Sequence, residues 1–231
     1  MALIRMNIFK NWYGREPKRE IRKDTPPKEG IALFFDVLLR QFWELCKLNL
    51  VFILFCLPVV TIPAASAAMS RIVFMMLMDR PVYVYSGFMA AFKAEWRRAS
   101  LAGLIYFPVL GATVFGQYYC LNVSGNVFLY CILMLACALT LMAGFYLFPM
   151  LAMLDMGLKG IFRNAILMTF LRMPQNILAL IPVALFALAV WLFLPPAIMA
   201  LIMVFFSLSG LITNFCAYTG LKKYVFKDGP L

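Results

Sequence analysis

Long apolar runs alternate with short polar stretches along most of this chain. Beyond residue 47 the apolar runs cover 48–57, 64–78, 100–121, 127–154, 177–194 and 197–219. A helix that crosses a bilayer needs about 20 apolar residues, and several of these runs reach that length. The pattern therefore predicts an all-α fold, a polytopic helical membrane protein, with no soluble domain of ordinary size beside the crossings.

The first long helix is predicted to begin at Ile31 and to run without interruption into the bilayer. It carries one polar stripe of charged residues at i, i+4, i+8 and i+11: Asp36, Arg40, Glu44 and Lys47. Pro58 and Pro63 follow, and a proline inside a helix removes a backbone hydrogen bond and clashes with the preceding turn. We therefore expect the chain to bend between these two prolines.

The distribution of cationic residues decides between five and six crossings. If 48–69 is one crossing, the 21 Lys and Arg residues divide almost equally between the two sides. If 58–63 is the turn of a hairpin, all of them fall in 1–47, 70–99, 155–176 and 220–231, which then face one side. Because cationic residues concentrate in cytoplasmic loops, we predict six transmembrane helices with both termini cytoplasmic, and five as the alternative.

The chain contains a possible internal repeat. Residues 88–109 align without gaps to 162–183, at an offset of 74 residues. The identical pairs are Phe88/Phe162, Ala91/Ala165, Arg98/Arg172, Leu104/Leu178, Pro108/Pro182 and Val109/Val183. In each copy an amphipathic segment precedes a helix with a proline near its middle. The repeat therefore predicts two short cytoplasmic amphipathic helices, each followed by a transmembrane helix.

The two amphipathic segments are candidate partner-binding surfaces, because each has an apolar stripe at i, i+4 and i+8. The candidate residues are Phe88, Phe92, Lys93, Trp96 and Arg97 in the first segment and Phe162, Ile166 and Phe170 in the second. Such stripes can lie in the headgroup region of the membrane, with the cations toward anionic lipid. They can also dock into a groove of another protein, and both interpretations stay open.

Asn49 and Arg71 are candidate intramembrane polar residues, and Arg71 is the only charge expected inside a crossing. A charge in that position is costly and usually faces protein or water. It can therefore serve an anionic group or a buried partner. The plainer alternatives are that its side chain snorkels or that its helix is shorter than drawn.

Small residues at regular spacing are candidate helix-packing positions, because they let helices approach closely in lipid. They are Gly103, Gly111, Ala136, Thr140 and Gly144. We expect them to pack within the chain, with contact to another subunit as the alternative.

Composition narrows the function without naming it. The chain has 65% apolar residues, a formal charge of +11 and no histidine. Cytoplasmic loops account for the positive charge, so we do not expect nucleic-acid binding. The sequence contains no catalytic triad, phosphate-binding loop, paired membrane carboxylates or metal-ligand cluster. We therefore expect no enzyme, no metal site and no cofactor, and we interpret the six cysteines as small hydrophobes.

Three segments resemble the YesL family of bacterial integral membrane proteins, a domain of unknown function. They are NWYGRE (11–16), the stretch 34–69 and SGFMAAFKAEWRRAS (86–100). The most specific piece is Asn49 followed by CLPVVTIPA, where the family pattern has Asn-Leu, Leu-Pro and Thr-Ile-Gly. The chain differs at Pro63, where many members have glycine, and at Glu95, where asparagine is frequent. The likeness extends over nearly the whole chain, and the second repeat keeps a similar Asn-Ala pair at 164–165.

The resemblance implies an association with other proteins and does not imply a reaction that this chain catalyses. Such proteins are typically encoded beside ABC importers for oligosaccharides and the glycosidases that process them, in Gram-positive bacteria. This implies an accessory or assembly subunit that binds the permease of a carbohydrate importer and, through it, the ATPase. One alternative is an independent small-solute transporter or channel, with Arg71 in its pathway. Another is a membrane scaffold or regulator that uses the basic N-terminal tail.

We expect the chain to divide into three parts. These are a charged cytoplasmic tail over 1–30, one transmembrane domain over 31–221 and a short cytoplasmic tail over 222–231. The predicted location is the bacterial cytoplasmic membrane, where membrane lipid is a further partner.

Overall fold

A computed structural model describes residues 30–192 and 205–224 of the chain. Every regular element in these residues is a helix, as the apolar runs predict. The elements are α1 (Ile31–Arg40), α2 (Phe42–Cys56), a 3-10 turn (Val59–Thr61), α3 (Ile62–Leu77), α4 (Val84–Tyr119), a π-helical turn (Cys120–Ser124), α5 (Val127–Met153), α6 (Leu158–Leu171), α7 (Met173–Leu192) and α8 (Phe206–Tyr224). Most of both predicted tails and the predicted loop at 195–196 lie outside the described residues.

The predicted uninterrupted helix from Ile31 is in fact two helices. Gln41 leaves helical geometry, with φ −111° and ψ 20°, and separates α1 from α2. The i, i+4 ion pair of the polar stripe forms between Arg40 and Asp36, at 3.4 Å. Arg40 also donates from Nη2 to Asp79 Oδ1 at 2.7 Å, in the turn after α3. The break therefore lies next to a tertiary contact that local periodicity does not reveal.

The segment between the two prolines reverses the chain. Pro58 is extended, a 3-10 turn follows, and Pro63 lies in the first turn of α3, where its missing N–H leaves no hydrogen bond unmade. The contact between Arg40 and Asp79 joins the start of α2 to the end of α3. The two helices therefore run antiparallel, which is the arrangement that the hairpin interpretation predicts.

α3 is enclosed by other helices of the chain. Every residue from Pro63 to Leu77 is buried except Ser66. α2, α4, α5 and α8 all contact it. α4 approaches closely where Gly103 meets Pro63, because a Cβ at Gly103 would overlap the proline ring. Protein on all sides explains how Arg71 can occupy the middle of an apolar helix.

α4 and α5 form a long antiparallel hairpin. Its turn contains Gly125 in the left-handed region, with φ 61°. Asn126 then caps α5, since its Oδ1 accepts a hydrogen bond from the Leu129 N–H at 3.1 Å. In the most apolar 18-residue stretch of each segment, the buried share is 11% for α5 and 22% for α4, against 72% for Val59–Leu77. Among the described residues, therefore, much of the hairpin has no protein around it.

The internal repeat appears in the helix boundaries. α4 begins at Val84 and α6 at Leu158, the same offset of 74 that aligns the sequences. α4 continues as one helix of 36 residues, whereas its counterpart is divided into α6 and α7, which meet at 89°. Pro174 is the second residue of α7, where its missing N–H is tolerated, whereas inside a continuous helix it would remove a hydrogen bond and clash with the preceding turn. At the aligned position α4 has Ser100.

This difference changes the prediction of two short amphipathic helices. The second of them exists as α6, a separate helix. The first, over 88–98, is not separate, because it forms the beginning of α4. Pro174 lies two residues after Arg172, whereas Ser100 takes the aligned position after Arg98, and this difference accounts for the asymmetry.

Three helical segments of the described chain are long and apolar enough to cross a membrane. They are Val59–Leu77, Val84–Ser124 and Val127–Met153, and the bent pair of α6 and α7 counts as a fourth only if the two helices form one broken span. α2 has 15 residues, fewer than the roughly 20 of a full crossing. A count of six needs α2 and α8 as crossings as well, so the sixfold topology stays a prediction.

The close helix contacts generate a test of packing. We expect Gly103→Leu and Gly144→Leu each to lower the free energy of unfolding by about 1–3 kcal/mol, because the new side chains would overlap Pro63 and Tyr106. Gly111→Leu is the matched control, since open space surrounds that position, and it should change stability by less than about 0.5 kcal/mol. Denaturant unfolding in detergent measures all three, and equal losses would contradict the packing.

Candidate functional site

Three arginines bring together segments that are distant in sequence. Arg40 reaches the turn after α3, Arg98 reaches the end of α5, and Arg172 reaches the second half of α8. Each contact joins two segments that the charge pattern assigns to the same side of the membrane. The contacts therefore agree with one cationic end of the helix bundle, while the side that this end faces stays a prediction.

The Arg98 junction is the contact of Arg98 with the end of α5. Nη2 donates to the backbone oxygens of Met156 at 2.7 Å and Leu154 at 3.2 Å. Nη1 lies 3.4 Å from Glu95 Oε2 and 3.4 Å from Asp155 Oδ1. The last carbonyls of a helix lack intrahelical donors and carry the negative end of its dipole, so a guanidinium is favourable there.

Glu95 extends the Arg98 junction into the protein. Glu95 is only 8% exposed. Arg71, which is 7% exposed, acts electrostatically on the Glu95 carboxylate. The carboxylate of Glu95 therefore lies in the field of two guanidinium groups, one from α3 and one from α4. A buried carboxylate needs compensating charge, which the ion pair with Arg98 of α4 and the field of Arg71 of α3 supply to Glu95.

The Arg172 junction is the corresponding contact in the second copy of the repeat. Arg172 Nη1 donates to the backbone oxygen of Cys216 at 2.7 Å and to Thr219 Oγ1 at 2.9 Å. Gly220 makes room for it, because a Cβ there would contact the guanidinium. Both repeat arginines thus use backbone carbonyls of a later segment, the loop after α5 for Arg98 and α8 for Arg172, although Arg172 lies at a helix break and Arg98 inside a helix.

A buried polar chain stabilises the break between α6 and α7. Tyr146 of α5 donates its hydroxyl to Asn176 Oδ1 at 2.5 Å. Asn176 Nδ2 in turn donates to the backbone oxygen of Thr169 at 3.1 Å. These bonds tie α5, α6 and α7 together where the bend interrupts the helical hydrogen bonds.

Asn49 has a structural contact of the same kind. It is fully buried, and its Oδ1 accepts a hydrogen bond from the backbone N–H of Ser207 at 2.8 Å. Ser207 is the second residue of α8, where backbone N–H groups lack intrahelical partners. The residue that carries the most specific part of the resemblance therefore anchors the start of α8 on α2.

The predicted partner-binding stripe of α4 packs largely inside the chain. Phe88 is fully buried, and Phe92 and Trp96 are half-buried. Phe55 of α2 contacts both phenylalanines, with ring centroids 5.3 Å and 4.9 Å away. Beside the stripe, Lys93 is exposed.

Arg97 of α4 is exposed as well. In α6 the predicted stripe is divided, since Phe162 is half-buried whereas Ile166 and Phe170 are 50% and 58% exposed. The surface left for a partner therefore consists of the exposed members Lys93, Arg97, Ile166 and Phe170.

The predicted packing residues also differ from one another. Gly144 lies against Tyr106, whose hydroxyl donates to the Thr140 carbonyl at 3.1 Å. Ala136 is half-buried on α5, and its carbonyl accepts from Thr140 Oγ1 at 2.8 Å. Gly111 is exposed and has no neighbour within 4 Å of a Cβ position. Within the described part of the chain, therefore, no helix packs against Gly111, although its spacing predicts a packing position.

The junctions contain residues that the sequence did not single out as sites, above all Glu95 and Arg98. The signal available for Arg98 was its identity with Arg172 in the repeat. The signals available for Glu95 were its i, i+3 spacing from Arg98 and its difference from the family pattern, whereas the field of Arg71 gave none, because Arg71 lies in another helix. In the part of the chain that the structure describes, no three His, Cys, Asp or Glu side chains are close enough to hold a metal ion. What these groups do is join helices through fixed charges.

The Arg98 junction can be tested with a neighbouring control. Arg98→Met should lower the free energy of unfolding by about 2–4 kcal/mol, because it leaves Glu95 and two carbonyls without their donor. Arg97→Met, at the exposed adjacent position, should cost less than about 0.5 kcal/mol in detergent without added lipid.

The double variant Glu95→Gln with Arg98→Met should cost less than the sum of the single changes, since the two side chains interact directly. Strictly additive losses in unfolding experiments would show that the contact contributes nothing.

Comparison with known proteins gives one match. No curated protein and no solved structure matches the chain. The residues that match a family are about a third of the chain, whereas the resemblance found in the sequence predicts a likeness over nearly all of it. They include Asn49, Arg71, Glu95 and Arg98 but not Arg172. Residues 45–116, from α2 into α4, match the family described as "Protein of unknown function, DUF624", to which the YesL-like proteins belong.

Proposed function

We propose that this protein is a non-enzymatic membrane subunit that binds the permease of a carbohydrate ABC importer. The resemblance supplies the class of partner, and the α4–α5 hairpin supplies the surface. The observation that carries the proposal is that Gly111, on α4 of this hairpin, has no packing neighbour among the described residues. An accessory subunit needs a segment that is held rigidly within its own chain and that presents an exposed apolar face to its partner. The hairpin has both properties.

The rigid part is the base of the hairpin. The Arg98 junction fixes α4 to the end of α5, and Tyr106 fixes it again through the Thr140 carbonyl. Toward the turn, Gln117 Nε2 donates to the Leu133 carbonyl at 3.2 Å. These contacts hold the two helices in one register, so the exposed face of α4 has a defined shape.

The free part is one face of α4. Leu104, Phe115 and Tyr118 are 72%, 69% and 63% exposed. At 100° per residue they lie on the same side of the helix as Gly111, which leaves a notch between large side chains. Notches of this kind admit a neighbouring transmembrane helix, because a small residue lets the backbones approach. We assign this face, the Gly111 face, to the permease.

The proposal predicts a specific loss of association. Gly111→Phe in a tagged chain from its native host should reduce copurified permease and ATPase by roughly tenfold after gentle detergent extraction, because the notch is filled. Gly111→Ala is the matched control and should retain most of the association, since one methyl group fits the open space. Quantitative mass spectrometry of the eluate measures both.

Two outcomes would contradict the proposal. One is that the unmodified chain brings down no permease or ATPase subunit. The other is solute uptake by vesicles that contain this chain alone, with loss of uptake in Arg71→Ala, which would indicate an independent transporter. Equal copurification by Gly111→Phe and the unmodified chain would move the partner to another face.

A further inference from the structure

The exposed faces of α4 and α6 show the same order of side chains. On α4, Lys93 and Arg97 are exposed, and the apolar residues that follow on the same side are exposed as well: Leu101, Leu104 and Ile105, at 54%, 72% and 55%. Relative to Lys93 these residues are at +4, +8, +11 and +12. Their positions fall within about 120° of the helix surface.

α6 repeats this order at the same spacing. Lys159 and Arg163 are exposed, and the apolar residues at +8, +11 and +12 are Leu167, Phe170 and Leu171, at 54%, 58% and 51% exposed. Ile166, 50% exposed, lies on the same face. Each helix thus has a face that is cationic over one turn and apolar over the next two.

The two cationic turns belong to one region of the molecule. Arg97 adjoins Arg98, whose Nη2 bonds the Met156 carbonyl, and Lys159 lies three residues beyond Met156. The Arg98 junction therefore holds the start of α6 next to the cationic turn of α4.

The bend after α6 fixes the direction of its face. α6 and α7 meet at 89°, and α7 leaves Leu178, Ile181 and Leu185 between 50% and 70% exposed. If the apolar α7 crosses the bilayer, α6 lies along its surface. The face of α6 then meets the layer of headgroups and the outer acyl chains, where the order cationic and then apolar is favourable.

We propose that Lys93, Arg97, Lys159 and Arg163 form a binding site for the headgroups of anionic phospholipids. The exposed apolar residues that follow them contact the acyl chains of the same lipids. A phospholipid presents a phosphate and then hydrocarbon along the bilayer normal, and α4, which continues into the apolar hairpin, presents its complements in that order. α6, in the plane of the surface, presents its cations and its apolar residues side by side at the boundary between headgroups and acyl chains. An acidic protein surface would match the four cations but would leave the seven exposed apolar side chains of these two faces without a matching partner.

This site adjoins the Gly111 face on α4 and shares Leu104 with it, but its four cations lie outside that face, and they are the residues that its test changes. It needs no importer, because the ligand is the membrane itself. A lipid at this site would contact both α4 and the start of α6, so it would stabilise the region that the Arg98 junction organises. The two proposals can therefore fail independently.

The test uses the purified full chain in detergent and native mass spectrometry of individual lipid-binding events. Phosphatidylglycerol is the anionic probe and phosphatidylcholine the zwitterionic one. The unmodified chain should prefer phosphatidylglycerol, and higher ionic strength should weaken the preference. Lys93→Gln with Arg97→Gln should reduce it by about tenfold, as should Lys159→Gln with Arg163→Gln, because each cation near an anionic lipid adds affinity.

The matched control keeps all four charges and exchanges their types: Lys93→Arg, Arg97→Lys, Lys159→Arg and Arg163→Lys. It should retain the preference within about threefold, since headgroup attraction depends mainly on charge. Circular dichroism confirms that each variant is folded, and the salt dependence of the unmodified chain tests the proposal without any variant.

Three results would overturn the proposal. The first is a preference that survives removal of all four charges. The second is competition by millimolar inorganic phosphate as strong as that by the lipid, which would indicate a site for free phosphate. The third is an unchanged lipid preference together with lost permease copurification in the charge-removal variants, which would assign the cations to a protein partner.

Discussion

A guanidinium group that leaves water must find its acceptors inside the protein, and this requirement organises the helices of this chain. Arg98 satisfies it with the Leu154 and Met156 carbonyls beyond the last turn of α5, and with Glu95 of its own helix. Glu95 in turn lies in the field of Arg71 from the enclosed helix α3. One set of charges therefore decides where α3, α4 and α5 meet. Removing one of these charges would leave another buried without compensation, and the cost of that keeps the three helices in this arrangement.

The repeat shows how one residue changes the use of such an arginine. α4 passes through Arg98 as a continuous helix, whereas Pro174, two residues after Arg172, interrupts the second copy. The result is a right-angled joint that is supported by the Arg172 contacts to α8 and by the bonds from Tyr146 to Asn176 and Thr169. The two copies thus share a polar anchor but project different surfaces, a long hairpin in one and a short surface helix in the other.

These surfaces divide the proposed roles of the protein. We assign the notch at Gly111, which is open among the described residues, to a membrane helix of a partner, and the exposed cationic turns of α4 and α6 to lipid headgroups. The predicted aromatic stripe serves neither role to the extent expected, because Phe88 and its neighbours pack against Phe55 of α2. Its periodicity was right for an amphipathic helix, but the same pattern arises when the apolar side meets another helix instead of lipid or a partner.

The sequence by itself determined the helical class, the hairpin between Pro58 and Pro63, the repeat and the segments that carry cations, because hydropathy, proline and charge act within a few turns of a helix. Only the tertiary structure decided that α3 is enclosed, that Gln41 divides the first helix, and that Gly103 and Gly144 are packed while Gly111 is free. It also decided that Glu95, paired with Arg98, lies in the field of Arg71. Each of these facts depends on which face of one helix meets which face of another, and the pattern along a single helix is the same whether that face meets lipid, water or protein.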